Sequence, residues 1–231
     1  VCRSVSHVIA VSDVDAEMMR KMFEITNVTA VPTGVDVEYF APPPAADHTG
    51  DLVFVGSMDY MPNVDGVLYF VREILPLIHE RRPECTVTIV GRKPPSEIRN
   101  LAITDQRIRI TGTVPDVRPY LWGSSISIVP LRVGGGTRLK IYESMAAAVP
   151  VVSTTIGAEG LVIHPPRDSR IGDTPQEFAA HCLELLDDPA KRHQIAHAGR
   201  DLVSARFSWD QVCRDFEAIL QSARQSNRAA A

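Results

Sequence analysis

The 231-residue sequence predicts an α/β fold in which a parallel sheet is doubly wound, with helices on both faces. Three observations predict it. Short runs rich in Val and Ile alternate with stretches of helical length from Asp51 onward. The runs are almost continuously apolar, as strands covered on both faces require. The turns that end them carry glycine, at Gly56, Gly91, Gly112 and Gly134 to Gly136, where a strand passes into a helix.

In chain order, residues 7–11 read as a strand, 13–23 as a helix and 28–31 as a second strand. The Pro-rich Phe40-Ala-Pro-Pro-Pro44 opens a stiff linker running to Gly50, so residues 1–40 fall outside the main domain. Strands follow at 51–55, 86–90, 108–110, 125–129, 149–152 and 161–163. Between them lie helices at 63–80, 95–101, 115–122 and 137–148, the first with its apolar face on Val67, Phe70, Val71, Ile74 and Ile78. Residues 175–186 and 189–205 are helical by period, and Ser208 caps a further helix to Leu220. The expected division is 1–40, a linker at 41–50, a main domain at 51–205, a terminal helix at 206–221 and a tail at 222–231.

With 45% hydrophobic residues, the chain is rich enough in apolar side chains for a real core. Its 24 basic and 28 acidic side chains, with no long run of one sign, argue against nucleic acid as a partner. No apolar run reaches the roughly 20 residues that span a bilayer, and the N-terminus is not built as a signal peptide. Cys2, Cys85, Cys182 and Cys213 lie far apart without a C-x-x-C pair, so they read as reduced thiols in a cytoplasmic protein. No His, Cys, Asp and Glu spacing suggests a metal site.

Chemistry concentrates in Pro130-Leu-Arg-Val-Gly-Gly-Gly-Thr-Arg-Leu-Lys-Ile-Tyr-Glu143. Gly134, Gly135 and Gly136 let backbone amides approach a ligand closely, Thr137 can cap the helix, and the free N–H groups then face an anion. Arg132, Arg138 and Lys140 supply charge for a phosphate, the alternative being a solvated basic rim. Glu143 suits a ribose hydroxyl, or else pairs with Lys140 or Arg138 at the surface. The turn Gly56-Ser-Met-Asp-Tyr60 lacks the later glycines of a dinucleotide fingerprint, which argues against a nicotinamide dehydrogenase. Gly56 permits close backbone approach, and Ser57 can line a polar pocket. Asn63 reads best as a helix cap. Arg92 adds charge to the same crevice, and the backbone around Val114 can read a base edge.

The segment Gly134-Gly-Gly-Thr-Arg-Leu-Lys-Ile-Tyr-Glu-Ser-Met-Ala-Ala-Ala-Val-Pro-Val-Val-Ser-Thr-Thr-Ile-Gly-Ala-Glu-Gly160 resembles the nucleotide-sugar-binding segment of the family-four, or group 1, glycosyltransferases of GT-B fold. His7-Val-Ile-Ala-Val-Ser12, Val31-Pro-Thr-Gly-Val-Asp36, Gly112-Thr-Val-Pro-Asp-Val117 and Phe207-Ser-Trp209 stand in that family's order. The resemblance implies a Rossmann-like sheet forming the C-terminal half of a two-domain enzyme. Residues 1–40 would then be the remnant of the N-terminal domain and the hinge, and 206–221 the helix that crosses back.

The implied activity is transfer of a sugar, with retention and without a metal, from a UDP- or GDP-sugar to a glycan or lipid-linked acceptor held by the N-terminal domain. Arg138, Lys140 and Glu143 are the residues implied to act in catalysis. Gly56, Ser57, Arg92, Val114, Arg132 and Gly134 to Thr137 join them around the donor. Two departures stand out: the first glutamate of the family's E-x7-E pattern falls at Gly135, and the Arg and Lys pair after the first strand is missing. Arg138 and Lys140 are expected to replace that pair. Alternative readings are a nucleotide-sugar epimerase of the same fold and a non-catalytic nucleotide- or phosphate-binding module. Alone, the chain is expected to bind without transferring, and its uncovered apolar surfaces to favour a non-native dimer. Peripheral membrane association of a full-length enzyme is left open.

Overall fold

A computed structural model describes residues 2, 5–44 and 50–230, the side chains of 226–230 excepted, so half of the expected linker, residues 45–49, lies outside the described residues. At the N-terminus, β1 (Val8–Ala10), α1 (Asp13–Phe23) and β2 (Val28–Ala30) form a parallel pair of strands with a crossover helix. Ser12 caps α1 through the Asp15 amide at 3.0 Å. This unit buries a core of its own on Val8, Ala10, Ala16, Ile25 and Val28. It leaves Val14, Met18, Met22 and Phe23 of the helix exposed.

The main sheet contains β3 (Gly50–Val55), β4 (Val87–Val90), β5 (Ile108–Gly112), β6 (Ser124–Val129), β7 (Val151–Ser153) and β8 (Arg170–Ile171). All six strands are parallel, in the order β5-β4-β3-β6-β7-β8. Consecutive residues Leu52, Val53 and Phe54 are all buried, because helices cover both faces of the central strands. The helices are α2 (Met61–Tyr69), α3 (Leu75–His79), α4 (Ser96–Thr104), α5 (Arg118–Trp122), α6 (Leu139–Ala146), α7 (Pro175–Asp187), α8 (Pro189–Arg206) and α9 (Trp209–Ala230).

The strand order reverses between β3 and β6. In such sheets the carboxyl ends of the two strands splay their loops apart and leave a crevice for ligand. The turn after β3 and the glycine-rich turn after β6 therefore face each other.

Several expected elements are corrected. The single helix expected at 63–80 is continuous but contains a π-helical turn, Phe70–Ile74, where the Leu75 amide reaches back to the Phe70 carbonyl. Pro76, with no amide proton, follows directly and cannot restore the regular ladder. The strand expected at 161–163 does not form. Tyr142 Oη takes the Val162 amide at 3.0 Å and Asp168 Oδ1 takes the His164 amide at 2.8 Å, so side chains satisfy this backbone and the last strand is β8. The terminal helix runs on to Ala230, through most of the expected tail. Of the four free cysteines, only Cys85 and Cys182 are buried.

The two terminal segments meet where they enter the main domain. The Val35 amide donates to the Phe207 carbonyl at 2.7 Å, Val35 bridges Ser208, and Gly34 lies against the Trp209 ring, where a Cβ would come within 2.7 Å of it. Arg118 stacks 3.7 Å from the centroid of Tyr39, and Trp122 Nε1 donates to the Phe40 carbonyl, so α5 anchors the chain that follows.

Candidate functional site

The turn after β6 is exposed from Arg132 to Gly136 and adopts left-handed backbone at Gly134 (φ 121°) and Gly136 (φ 86°). Gly134 has a second requirement, since a Cβ there would lie 3.2 Å from Pro62 and 3.3 Å from the Tyr60 hydroxyl. Around Gly135 there is open space.

Thr137 does not cap α6, contrary to the sequence reading. The excursion through Gly136 delays the helix to Leu139 and leaves Arg138 in the cap position at φ −89°, ψ 71°, with no side-chain cap. The first-turn amides of α6 thus lack a side-chain acceptor, as an anion site requires. Thr137 lines a different cleft, of about 270 Å³, together with Ser12, Leu161, Arg206 and Gln211.

Arg138 is only 6% exposed. One Nη donates to the Gly136 carbonyl, while Nε and the other Nη are buried without a hydrogen-bond partner among the described residues. A buried cationic donor left unmet costs on the order of 1–3 kcal/mol or more, so a fold carries one where something else meets it.

Lys140, half a turn further along, reaches across to the turn after β3. Its Nζ donates to Asn63 Oδ1 at 2.8 Å and sits 4.4 Å from the centroid of the Phe54 ring. Burial pushes this ammonium down to about 7; Glu143 opposes the shift and Arg138 adds to it. Burial raises the Glu143 carboxyl, against the pull of Lys140, and no side-chain hydrogen bond to Glu143 occurs among the described residues. Gly56 makes the lysine's path possible, since a Cβ there would lie 2.6 Å from Nζ.

Asn63 is not a helix cap. It lies inside the first turn of α2, with Tyr60 at the cap position, and its Nδ2 donates to the Ser57 carbonyl at 2.8 Å. Pro62 was the available signal, because proline favours the first helical positions and moves the cap upstream of Asn63.

Gly56, Ser57, Arg92 and Val114 come together, lining a crevice of about 230 Å³ between the turns that end β3, β4 and β5. Arg92 Nε donates to Ser57 Oγ at 2.7 Å, and its guanidinium pairs with Asp59 at 3.3 Å. The Ser57 hydroxyl, followed by the charges of Arg92 and Lys93, holds the Asp59 carboxyl below its ordinary range against a partial desolvation. Arg132 is drawn away from the turn. It engages Asp65 with two contacts at 2.7 and 3.2 Å and lies 4.5 Å from the centroid of Tyr69. Lys140 thus lies within electrostatic reach of both Glu143 and Arg138, beside helix amides that the cap residue's side chain leaves uncapped. That balance suits a polyanion with hydroxyl groups attached.

Residues 49–188 match the family model described as glycosyl transferases group 1. Among curated proteins, the chain is 28% identical over 215 residues to a GDP-mannose-dependent monoacylated α-(1-6)-phosphatidylinositol monomannoside mannosyltransferase of Corynebacterium glutamicum, covering 83% of this chain and 55% of that one. The chain spans about half the length of the curated relatives it matches. Among solved structures, the C-terminal domain of the group 1 glycosyl transferase LpcC from Francisella tularensis superposes with a TM-score of 0.65 at 20% identity, covering 76% of this chain and all of that one. Anabaena HepE in complex with UDP gives 0.79 at 17% identity, covering 95% of this chain and 65% of that one. At these identities the structural matches establish the fold, that of a GT-B C-terminal domain.

Proposed function

The chain belongs to the group 1 glycosyltransferases, and on that premise we propose that it is the donor half of a sugar transferase, holding a nucleoside diphosphate sugar between the turn after β3 and the N-terminus of α6. The observation that carries the reading is Arg138, a buried guanidinium with two unmet donor nitrogens beside an uncapped helix. A diphosphate supplies oxygens to both, and the α6 amides and Lys140 complete its neutralisation. Glu143 accepts from the ribose hydroxyls, and the crevice at Gly56, Ser57, Arg92 and Val114 takes the base.

In transfer, the bond from the anomeric carbon to the β-phosphate oxygen breaks, the leaving diphosphate keeps the electron pair, and the acceptor hydroxyl oxygen bonds to that carbon while its proton passes to the leaving phosphate oxygen. Its charge grows where Arg138 and Lys140 already stand, which lowers the barrier without reorganisation. The acceptor, a glycan or lipid-linked sugar, is held in line by an N-terminal domain, and transfer proceeds with retention and without a metal. The relative named for GDP-mannose supports GDP as the base carrier and the UDP of HepE supports UDP, so both are carried forward.

A thermal-shift panel of UDP, GDP, ADP and CDP, with and without magnesium, tests this. At a hundredfold excess over Kd a ligand adds about 2.7 kcal/mol, a shift of roughly 5–11 °C for a chain of this size. A magnesium-independent shift with UDP or GDP, lost in Arg138→Ala and Lys140→Ala, is expected. An unchanged shift in both variants refutes the assignment.

A further inference from the structure

We infer that Asn63 is a positioning residue of the donor site, whose side-chain amide fixes the Lys140 ammonium against the diphosphate by holding it to the turn after β3. The inference rests on the donor reading above.

Asn63 is 5% exposed, and both ends of its amide are used. Oδ1 accepts from Lys140 Nζ and Nδ2 donates to the Ser57 carbonyl, each at 2.8 Å. The order is forced by chemistry, since an ammonium only donates and a carbonyl only accepts. Aspartate offers no donor to Ser57, and an apolar side chain offers neither group. The link spans 77 residues of sequence and ties α6 to the opposite wall of the crevice. Without it, what steers the lysine's flexible stem toward that wall among the described residues is the Phe54 ring and the space at Gly56. The charged groups that act on Nζ are Glu143 and Arg138, both from its own segment. Neither ties the ammonium to the wall across from it.

The test is a double-mutant cycle on the 231-residue chain, reading GDP and UDP affinity by calorimetry, with guanosine and uridine as phosphate-free controls. Asn63→Ala and Lys140→Met are each expected to weaken nucleotide binding about tenfold, with the double variant no weaker than K140M alone and nucleoside binding unchanged. N63A is also expected to move the pH at which affinity begins to fall downward, because Nζ has lost an acceptor that favours its charged form, and a merely structural role would not move it. Should N63A fail to fold, Asn63→Ser removes less volume and is still too short to reach Nζ.

Wild-type affinity in N63A with weakened binding in K140M overturns the positioning role and leaves the donor reading standing. So does an additive, roughly hundredfold loss in the double variant. Unchanged affinity in K140M overturns the role of Lys140 in the donor reading, and the positioning role with it.

Discussion

Replacing Arg138 by methionine is predicted to stabilise the empty chain while weakening its affinity for nucleotide tenfold or more. Among the described residues, Nε and one Nη are buried without partners, and the other Nη donates to the Gly136 carbonyl. Each unmet donor costs about 1–3 kcal/mol, whereas the bond to Gly136 returns about 1.5–3 kcal/mol. Methionine removes both unmet donors and loses the one bond, and its side chain fills similar space without burying charge. At the middle of these ranges the balance favours the variant by about 2 kcal/mol, a rise in Tm of about 2–4 °C per kcal/mol for a chain of this length. Nucleotide binding moves the other way. A two-pronged guanidinium–phosphate contact is worth at least one charge-assisted hydrogen bond, so affinity for GDP or UDP falls tenfold or more. Differential scanning calorimetry without ligand, and titration calorimetry with it, read the two effects separately. A lower Tm with unaltered affinity would refute the reasoning, since the guanidinium would then be structural.

Three further outcomes are expected. Nucleotide affinity depends on pH through Lys140, whose ammonium titrates at about 7 in the empty site and is held protonated by a bound anion. Affinity is then full below pH 7 and falls by up to about tenfold per unit above it, a slope that calorimetry finds absent in Lys140→Met. Gly56→Ala places a Cβ 2.6 Å from Lys140 Nζ and 2.8 Å from Asn63 Nδ2. It is expected to cost about 1–3 kcal/mol in chemical denaturation and to lower nucleotide affinity, because the ammonium must move. Glu184 is held down to about 2, first by its hydrogen bond from Arg170 and then by Lys191. This carboxylate's contribution is complete above its ordinary value of 4.5 and is lost as pH falls toward 2. In Glu184→Ala, which leaves the buried Arg170 unpaired, denaturation at neutral pH should show a loss of about 2 kcal/mol and a flatter acid limb.

The parallel sheet was legible because its strands are buried on both faces. Such burial writes continuous Val and Ile runs into the sequence, and the strands at 51–55, 86–90 and 125–129 appear within one residue of their expected bounds. The run at 161–163 has the same composition yet makes no ladder. Whether a short apolar run pairs depends on what else can take its amides, and here Tyr142 Oη and Asp168 do so from elsewhere in the chain. The glycine-rich turn was readable as an anion cradle from residue types alone. Which of its cations would serve it was not readable. Arg132 and Arg138 look equivalent in sequence, but Asp65 lies within reach of the first and, among the described residues, no carboxylate meets the second. Asn63 was hidden because its two partners, Ser57 and Lys140, come together only once β3 and β6 are neighbours.

The most direct measurement is a crystal structure of the chain with GDP or UDP bound. The account predicts phosphate oxygens within about 3 Å of Arg138 Nε and its free Nη, with Lys140 Nζ still on Asn63. A diphosphate bound elsewhere, with those two nitrogens still unmet, would contradict it.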